Sequence, residues 1–319
     1  MNHYTHLTID EREKARVLLE LGFSLRAIAR KLNRAVSTIS REIRRNQKKN
    51  GEYVAHIAQK KSNLRKRKCG RNAVLATDSV MRAYVLERLT WCWTPEQIAG
   101  RAKLENQPFS FSFVTIYRAI DAGVLPKKLK KIMRFKRKYK KHKSTDLRGK
   151  IQGTTSIHER PAGANDRSEL GHWESDTVLG SRNTGCFATH VERKTGFLVA
   201  CYLPQQKSAP FNTATTSAFE KLPKACKKSF TTDNGKEFTN HQKLKQFTGM
   251  DVYFCDPYSP WQRGLNENTN GLLRQFFPKR SSFANMNLNF LQAIVSLINH
   301  RPRKRFGFLS PIEMLHRHL

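Results

Sequence analysis

The chain has 319 residues, enough for two or three domains and at least one large core. Its 59 Lys and Arg face 25 Asp and Glu, a net charge of +34 with a pI near 10.4, which points to a polyanionic partner, nucleic acid above all. Six scattered cysteines without a C-x-x-C pair argue against a structural zinc or a disulfide framework, and no signal peptide or apolar run of ~18 residues is present, so a cytoplasmic, nucleoid-associated protein without membrane contact is expected.

Residues 1–59 predict an N-terminal helix-turn-helix domain. Thr8 and Glu11 form a capping box for a first helix that Gly22 stops. Ser24 caps a second, whose Leu25, Ile28, Ala29 and Leu32 make an apolar stripe. After the turn at Asn33-Arg34-Ala35, Ser37 opens a third helix with Ile39 and Ile43 inward. Its outer face carries Thr38, Arg41, Arg44 and Arg45, with Ser40 near the edge. Hydroxyls and an early arginine suit base edges in the major groove, and later arginines suit phosphate. The competing explanation is a structural three-helix bundle with a solvated basic face.

Residues 60–72 and 127–166 read as basic linkers around a second helical module at 73–126. In that module Thr94 caps a helix with Pro95 at its first position, and 114–120 is either a second recognition helix or a packing helix.

From residue 167 to 319 the pattern turns to strands at 173–179, 186–192, 197–203, 228–232 and 252–255. Helices are expected at 209–222, at 237–246 and around Glu267. The order β-β-β-α-β-α-β-α is that of a ribonuclease H-like mixed sheet flanked by helices, so the chain is α+β and multidomain. This order puts Asp176 on the central first strand, Asp233 at the end of the neighbouring fourth strand and Glu267 on a helix crossing both. Three carboxylates so placed can hold two Mg²⁺ (or Mn²⁺) ions, which activate the attacking and stabilise the leaving oxygen of a phosphoryl displacement. Glu174, Glu237, Asp251 and Asp256 are competing carboxylates, and Asp-Asn-Gly at 233–235 is also an ordinary turn. Arg274, two turns beyond Glu267, should emerge on the same face and grip DNA backbone.

Particular motifs sharpen this: GHWESDTVLG at 171–180, VERKTGF at 191–197, TTDNGKEF at 231–238 and DPYSPWQRGLNENTNGLLRQFFPK at 256–279. With HERP at 158–161, RPRK at 301–304 and SPIEML at 310–315, the chain resembles the insertion-sequence-thirty family of bacterial transposases, within the retroviral-integrase superfamily. The resemblance covers nearly the whole chain. It implies that Asp176, Asp233 and Glu267 are the metal-binding catalytic residues of a polynucleotidyl transferase with an integrase catalytic core. It further implies DNA partners, both the terminal inverted repeats and the target, engaged by at least a homodimer without a nucleotide cofactor. Ser175 and Leu265 depart from the family pattern, where Gly and a small polar residue are usual. The rival functions are a non-catalytic DNA-binding regulator and a simple nuclease of RNA–DNA hybrids.

Overall fold

The Thr8 hydroxyl accepts from the Glu11 amide and the Glu11 carboxylate accepts from the Thr8 amide, starting α1 (Ile9–Glu20). Ser24 caps α2 (Leu25–Lys31), and Asn33, at a φ of 50°, turns the chain into α3 (Val36–Asn46). That helix starts one residue earlier than expected, with Ala35 at its cap, so Ser37 lies within the first turn instead of opening it. Arg12, almost fully buried, ties these helices together through Glu42 on α3 (2.7 Å) and Gln59 (2.6 Å).

The structure, a computed structural model, describes residues 5–68, 73–129 and 151–319, which divide into the units Met1–Asn72 and Ala73–Leu319. The expected linker at 60–72 is corrected for much of its length, because α4 (Ala55–Lys68) runs through it. Its buried stripe is Ala55, Ala58 and Ser62, residues too small to register as hydrophobic periodicity yet well suited to close helix contact. Lys61 and Arg65 reach back to the Asn46 carbonyl (3.1 Å) and side chain (2.7 Å) at the end of α3, where cations complement the helix dipole.

In the second unit, α5 (Val74–Thr77), α6 (Ser79–Thr90), α7 (Pro95–Leu104) and α8 (Phe113–Asp121) enclose a core of Val85, Leu89, Ile98, Ile116 and Leu125. These helices do not stand apart from the sheet that follows. Arg101 on α7 forms a two-pronged ion pair with Glu313, both bonds 2.7 Å, and Gln97 donates to the Pro302 carbonyl (2.8 Å). Gly100 is required here, since a Cβ would overlap the Phe308 ring. The basic run at 127–150 lies outside the described residues beyond its first three positions.

The sheet has six strands in the order β1-β6-β5-β2-β3-β4. They are β1 (Thr155–Ser156), β2 (His172–Leu179), β3 (Cys186–Glu192), β4 (Leu198–Leu203), β5 (Ser229–Thr232) and β6 (Asp251–Phe254). The first three long strands are antiparallel neighbours and β5 joins β2 in parallel, as the element order predicts. Strand β1 was not expected: residues 151–166, read as linker, form the sheet's edge beside β6 and the short helix α9 (Ala162–Asn165). Buried Arg160 fastens this segment to Thr231 on β5 (3.1 Å).

Helices α10 (Ser208–Glu220) and α11 (His241–Thr248) cover one face around Trp173, Phe211, Phe219 and Phe230. Residues 236–238 form a separate 3₁₀ turn, so the helix expected from 237 starts later. On the other face lie α12 (Gly264–Phe276) and α13 (Leu288–Asn299), packed on Phe187, Val191 and Leu198. The chain closes with α14 (Pro311–His318).

Candidate active site and nucleic-acid interface

The two-residue period of β2 sends Trp173, Ser175 and Thr177 to one face and Glu174, Asp176 and Val178 to the other, toward α12. Asp233 follows β5, which pairs Thr231 with Glu174 of β2, so the two aspartates meet at neighbouring strands. Each aspartate has one oxygen anchored by the protein. Asp176 Oδ2 accepts from Asn270 Nδ2 (3.0 Å), and Asp233 Oδ1 accepts from the Gly235 amide of its own turn (2.9 Å). The other two oxygens converge on one cation: Arg263 lies 3.2 Å from Asp176 Oδ1 and 2.8 Å from Asp233 Oδ2. Arg263 also donates to the Ser175 carbonyl (3.1 Å).

Burial pushes the Asp176 carboxyl above its ordinary value; Arg263 opposes this and nearby Asp233 adds to it. Burial also works against charge on Arg263, but the two carboxylates hold its pKa above the usual guanidinium value.

Glu267 is exposed in the first turn of α12. It lies four residues after Arg263 and three before Asn270, and both of those side chains touch Asp176, so Glu267 shares their helix face. Among the described residues no three His, Cys, Asp or Glu side chains stand close enough together to form a metal cluster. The structure therefore joins Asp176 and Asp233 through Arg263 and leaves Glu267 beside them.

The competing carboxylates have other partners. Fully buried Glu174 pairs with Arg193 and accepts from the Asn266 amide (2.9 Å). Buried Glu237 accepts from Thr177 (2.6 Å) and Gln206 (3.1 Å). Asp251, at the start of β6, pairs with Lys245, while Asp256 accepts from Gln262 (2.7 Å) and lies 3.0 Å from His158. Arg274 donates to the Leu179 carbonyl at the end of β2 (2.8 Å). Both departures from the family pattern are accommodated: Ser175 bonds the buried His190 (2.8 Å), and Leu265 packs on the apolar core under α12.

A cleft of about 570 Å³ opens beside Asp233, lined among others by Glu159, Asp256, Tyr258 and Arg263. Tyr258 and Trp261 on its bordering loop are 72% and 74% exposed, and Tyr258 sits at a φ of 57°. Asn270 was not singled out from sequence, although the helical spacing from Glu267 that selected Arg274 selects it equally.

In the first unit, Ser37, Arg41, Arg44 and Arg45 are exposed on α3, with Thr38 and Ser40 half-buried. Thr38, Arg41 and Arg45 line a concavity of about 530 Å³ together with Arg65 and Lys66 of α4. By contrast, α8 exposes Phe113, Val114 and Tyr117 beside one arginine, Arg118, and one acid, Asp121, so its outward face carries no net positive charge.

A family model described as a helix-turn-helix domain matches residues 3–46, and an integrase core domain model matches residues 166–260, a span that includes Asp176 and Asp233. Transposase InsI for insertion sequence element IS30A, from Escherichia coli (strain K12), is 39% identical over 98% of this chain and 84% of its own length. The transposase for IS1086 from Cupriavidus metallidurans is 38% identical over 98% of this chain and 94% of its own. The transposase for IS4351 from Bacteroides fragilis is 36% identical over 97% and 94%. With a helix-turn-helix match at 3–46, an integrase core match at 166–260 and relatives up to 39% identical over 98% of this chain, the chain belongs to the insertion-sequence-thirty (IS30) family of transposases.

Proposed function

We propose that the chain binds the terminal inverted repeats of its own element through α3 and carries out divalent-metal-dependent cleavage and strand transfer with Asp176, Asp233 and Glu267. The observation that carries this is the pair of aspartate oxygens, one from each strand, aimed at a common cation. A second supports it: Asn270 Oδ1 is buried beside Asp176 with no hydrogen-bond partner among the described residues. An acceptor-only set of hard oxygens fits Mg²⁺ or Mn²⁺. Asp176 and Asp233 would hold such ions, with Glu267 completing the set from α12. When bound, the ions lower the pKa of the attacking hydroxyl and offset charge on the leaving oxygen.

The chain's own residues then do the positioning. Asn270 and the Gly235 amide fix the rotation of each aspartate, so no ordering is needed when substrate arrives. The exposed rings of Tyr258 and Trp261 offer faces on which an unpaired base can stack beside the cleft. Arg274, further along the α12 face that carries Glu267, would hold the strand's backbone. Because a phosphodiester bond is exchanged for another, joining a 3′-hydroxyl to target DNA needs no ATP. Two element ends must be joined together, which calls for at least a dimer on DNA.

The test is cleavage and joining of a labelled terminal-repeat duplex to plasmid in Mg²⁺. Asp176→Asn, Asp233→Asn and Glu267→Gln should each abolish both steps and leave repeat binding intact. A variant that joins DNA at near the wild-type rate removes that residue from the site. Loss of none of the activity in all three would favour a different set of carboxylates.

A further inference from the structure

We infer that Arg263 is a built-in counter-cation that holds the two aspartates closed against metal until a DNA phosphate draws its guanidinium away. This rests on the assignment of Asp176 and Asp233 as metal ligands. Each aspartate keeps one oxygen on a protein donor, Asn270 or the Gly235 amide, and gives the other to Arg263. The guanidinium therefore takes up the two oxygens left for an incoming ion. Metal and arginine compete for the same ligands, and both cannot have them at full strength.

The position of Arg263 makes an exchange feasible. It stands at the junction of the 3₁₀ turn Pro260–Arg263 and α12, and the side chain is 15% exposed. It also lines the 570 Å³ cleft beside Asp233, as does the exposed Tyr258. A phosphate entering that cleft offers the guanidinium a bidentate partner of its own charge preference. Arg263 would then trade two carboxylates for one phosphate, releasing the aspartate oxygens as substrate arrives. The consequence is reciprocal: DNA tightens metal binding, and metal tightens DNA binding by the same factor.

The experiment measures Mn²⁺ binding to the full chain by electron paramagnetic resonance, without DNA and with a terminal-repeat duplex, counting only binding lost in Asp176→Asn. Wild type should bind Mn²⁺ at least tenfold more tightly with DNA than without. Arg263→Gln keeps a polar side chain but removes the charge. It should bind Mn²⁺ at least tenfold more tightly than wild type without DNA and lose most of the enhancement by DNA. Arg263→Lys, which retains the charge on one nitrogen, should fall between them, and it carries the test if the glutamine variant does not fold by circular dichroism. An Arg263 variant that is folded yet binds Mn²⁺ no more tightly than wild type without DNA overturns the inference while leaving the metal ligands standing. Mn²⁺ binding unchanged in Asp176→Asn and Asp233→Asn overturns both.

Discussion

Replacing Glu174 with Gln should destabilise the unit that holds the integrase core more than the corresponding Asp→Asn change at Asp176 or Asp233. The carboxylate is fully buried, Arg193 is 4% exposed, and the two form an ion pair beneath α12. Its second oxygen accepts from the Asn266 amide, and the Asn266 side chain in turn donates to the Glu174 carbonyl (2.7 Å). Glutamine has the same shape but a single acceptor oxygen, so it turns an N–H toward either Arg193 or Asn266. The charge on Arg193 is then left buried without its partner, which costs about 3–5 kcal/mol. For a unit of this size each kcal/mol lowers the midpoint by ~2–4 °C, so a fall of roughly 6–20 °C is expected. Thermal and urea unfolding followed by circular dichroism on the full chain would measure it. Replacing both residues, as Glu174→Leu with Arg193→Leu, should recover part of the loss and leave the Asn266 amide unpaired at about 1–3 kcal/mol. A single variant within ~1 kcal/mol of wild type would mean that the pair is hydrated or rearranges, and the account of how α12 is seated would fail.

Three further outcomes are expected. Arg101 and burial act oppositely on Glu313, and Arg101 prevails, holding the carboxyl down to about 2. A depressed pKa contributes stability above the ordinary value of 4.5 that is lost as pH falls toward 2. At this partly open pair the amount is ~1 kcal/mol. Glu313→Gln should flatten the acid limb of the stability curve over that window, matching wild type near pH 2 and falling ~1 kcal/mol below it above pH 4.5. A fragment of residues 1–72 should fold by circular dichroism and prefer the terminal repeat over a scrambled duplex, whereas a fragment from residue 151 with equal preference would contradict the role given to α3. Arg41→Ala should cost ~1–3 kcal/mol at one base pair and relax preference there. Neutralising Arg65 and Lys66 should weaken cognate and scrambled binding alike and flatten the log-affinity against log-salt slope by about 0.9 per lost contact. The reverse pattern in a salt titration would exchange the roles of the two sets.

Much of the architecture was legible because its signals are short-range. The Thr8 capping box, the Thr94 and Ser24 caps and the β2–β3–β4 meander follow from local spacing alone. The placement of Asp176 on a strand and of Asp233 at the end of the neighbouring one was legible for the same reason, while competing carboxylates kept their role open to local pattern alone. Three features lacked such a signal. Helix α4 packs through Ala55, Ala58 and Ser62, whose small side chains were outweighed by the charges around them. Strand β1 is two residues long, and its pairing with β6 spans about a hundred residues of sequence. Arg193 sits in a turn between strands, where arginine is ordinarily a surface residue, and only the fold puts it beside Glu174. Arg263 is different: its spacing from Glu267 was visible, but its bridge to two strands was not.

Short as it is, β1 decides how this protein can be cut. Thr155 and Ser156 cover part of the outer edge of β6, and Arg160 is anchored to Thr231 from the same segment. A catalytic fragment beginning at 167, where the alternating pattern first becomes obvious, would remove both. It would leave β6, whose Val252, Tyr253 and Phe254 are otherwise buried, as a bare strand with unpaired amides and carbonyls. Such an edge is a template for pairing with another chain. Fragments cut at 167 should therefore accumulate as aggregates, while those that begin at 151 should stay dispersed.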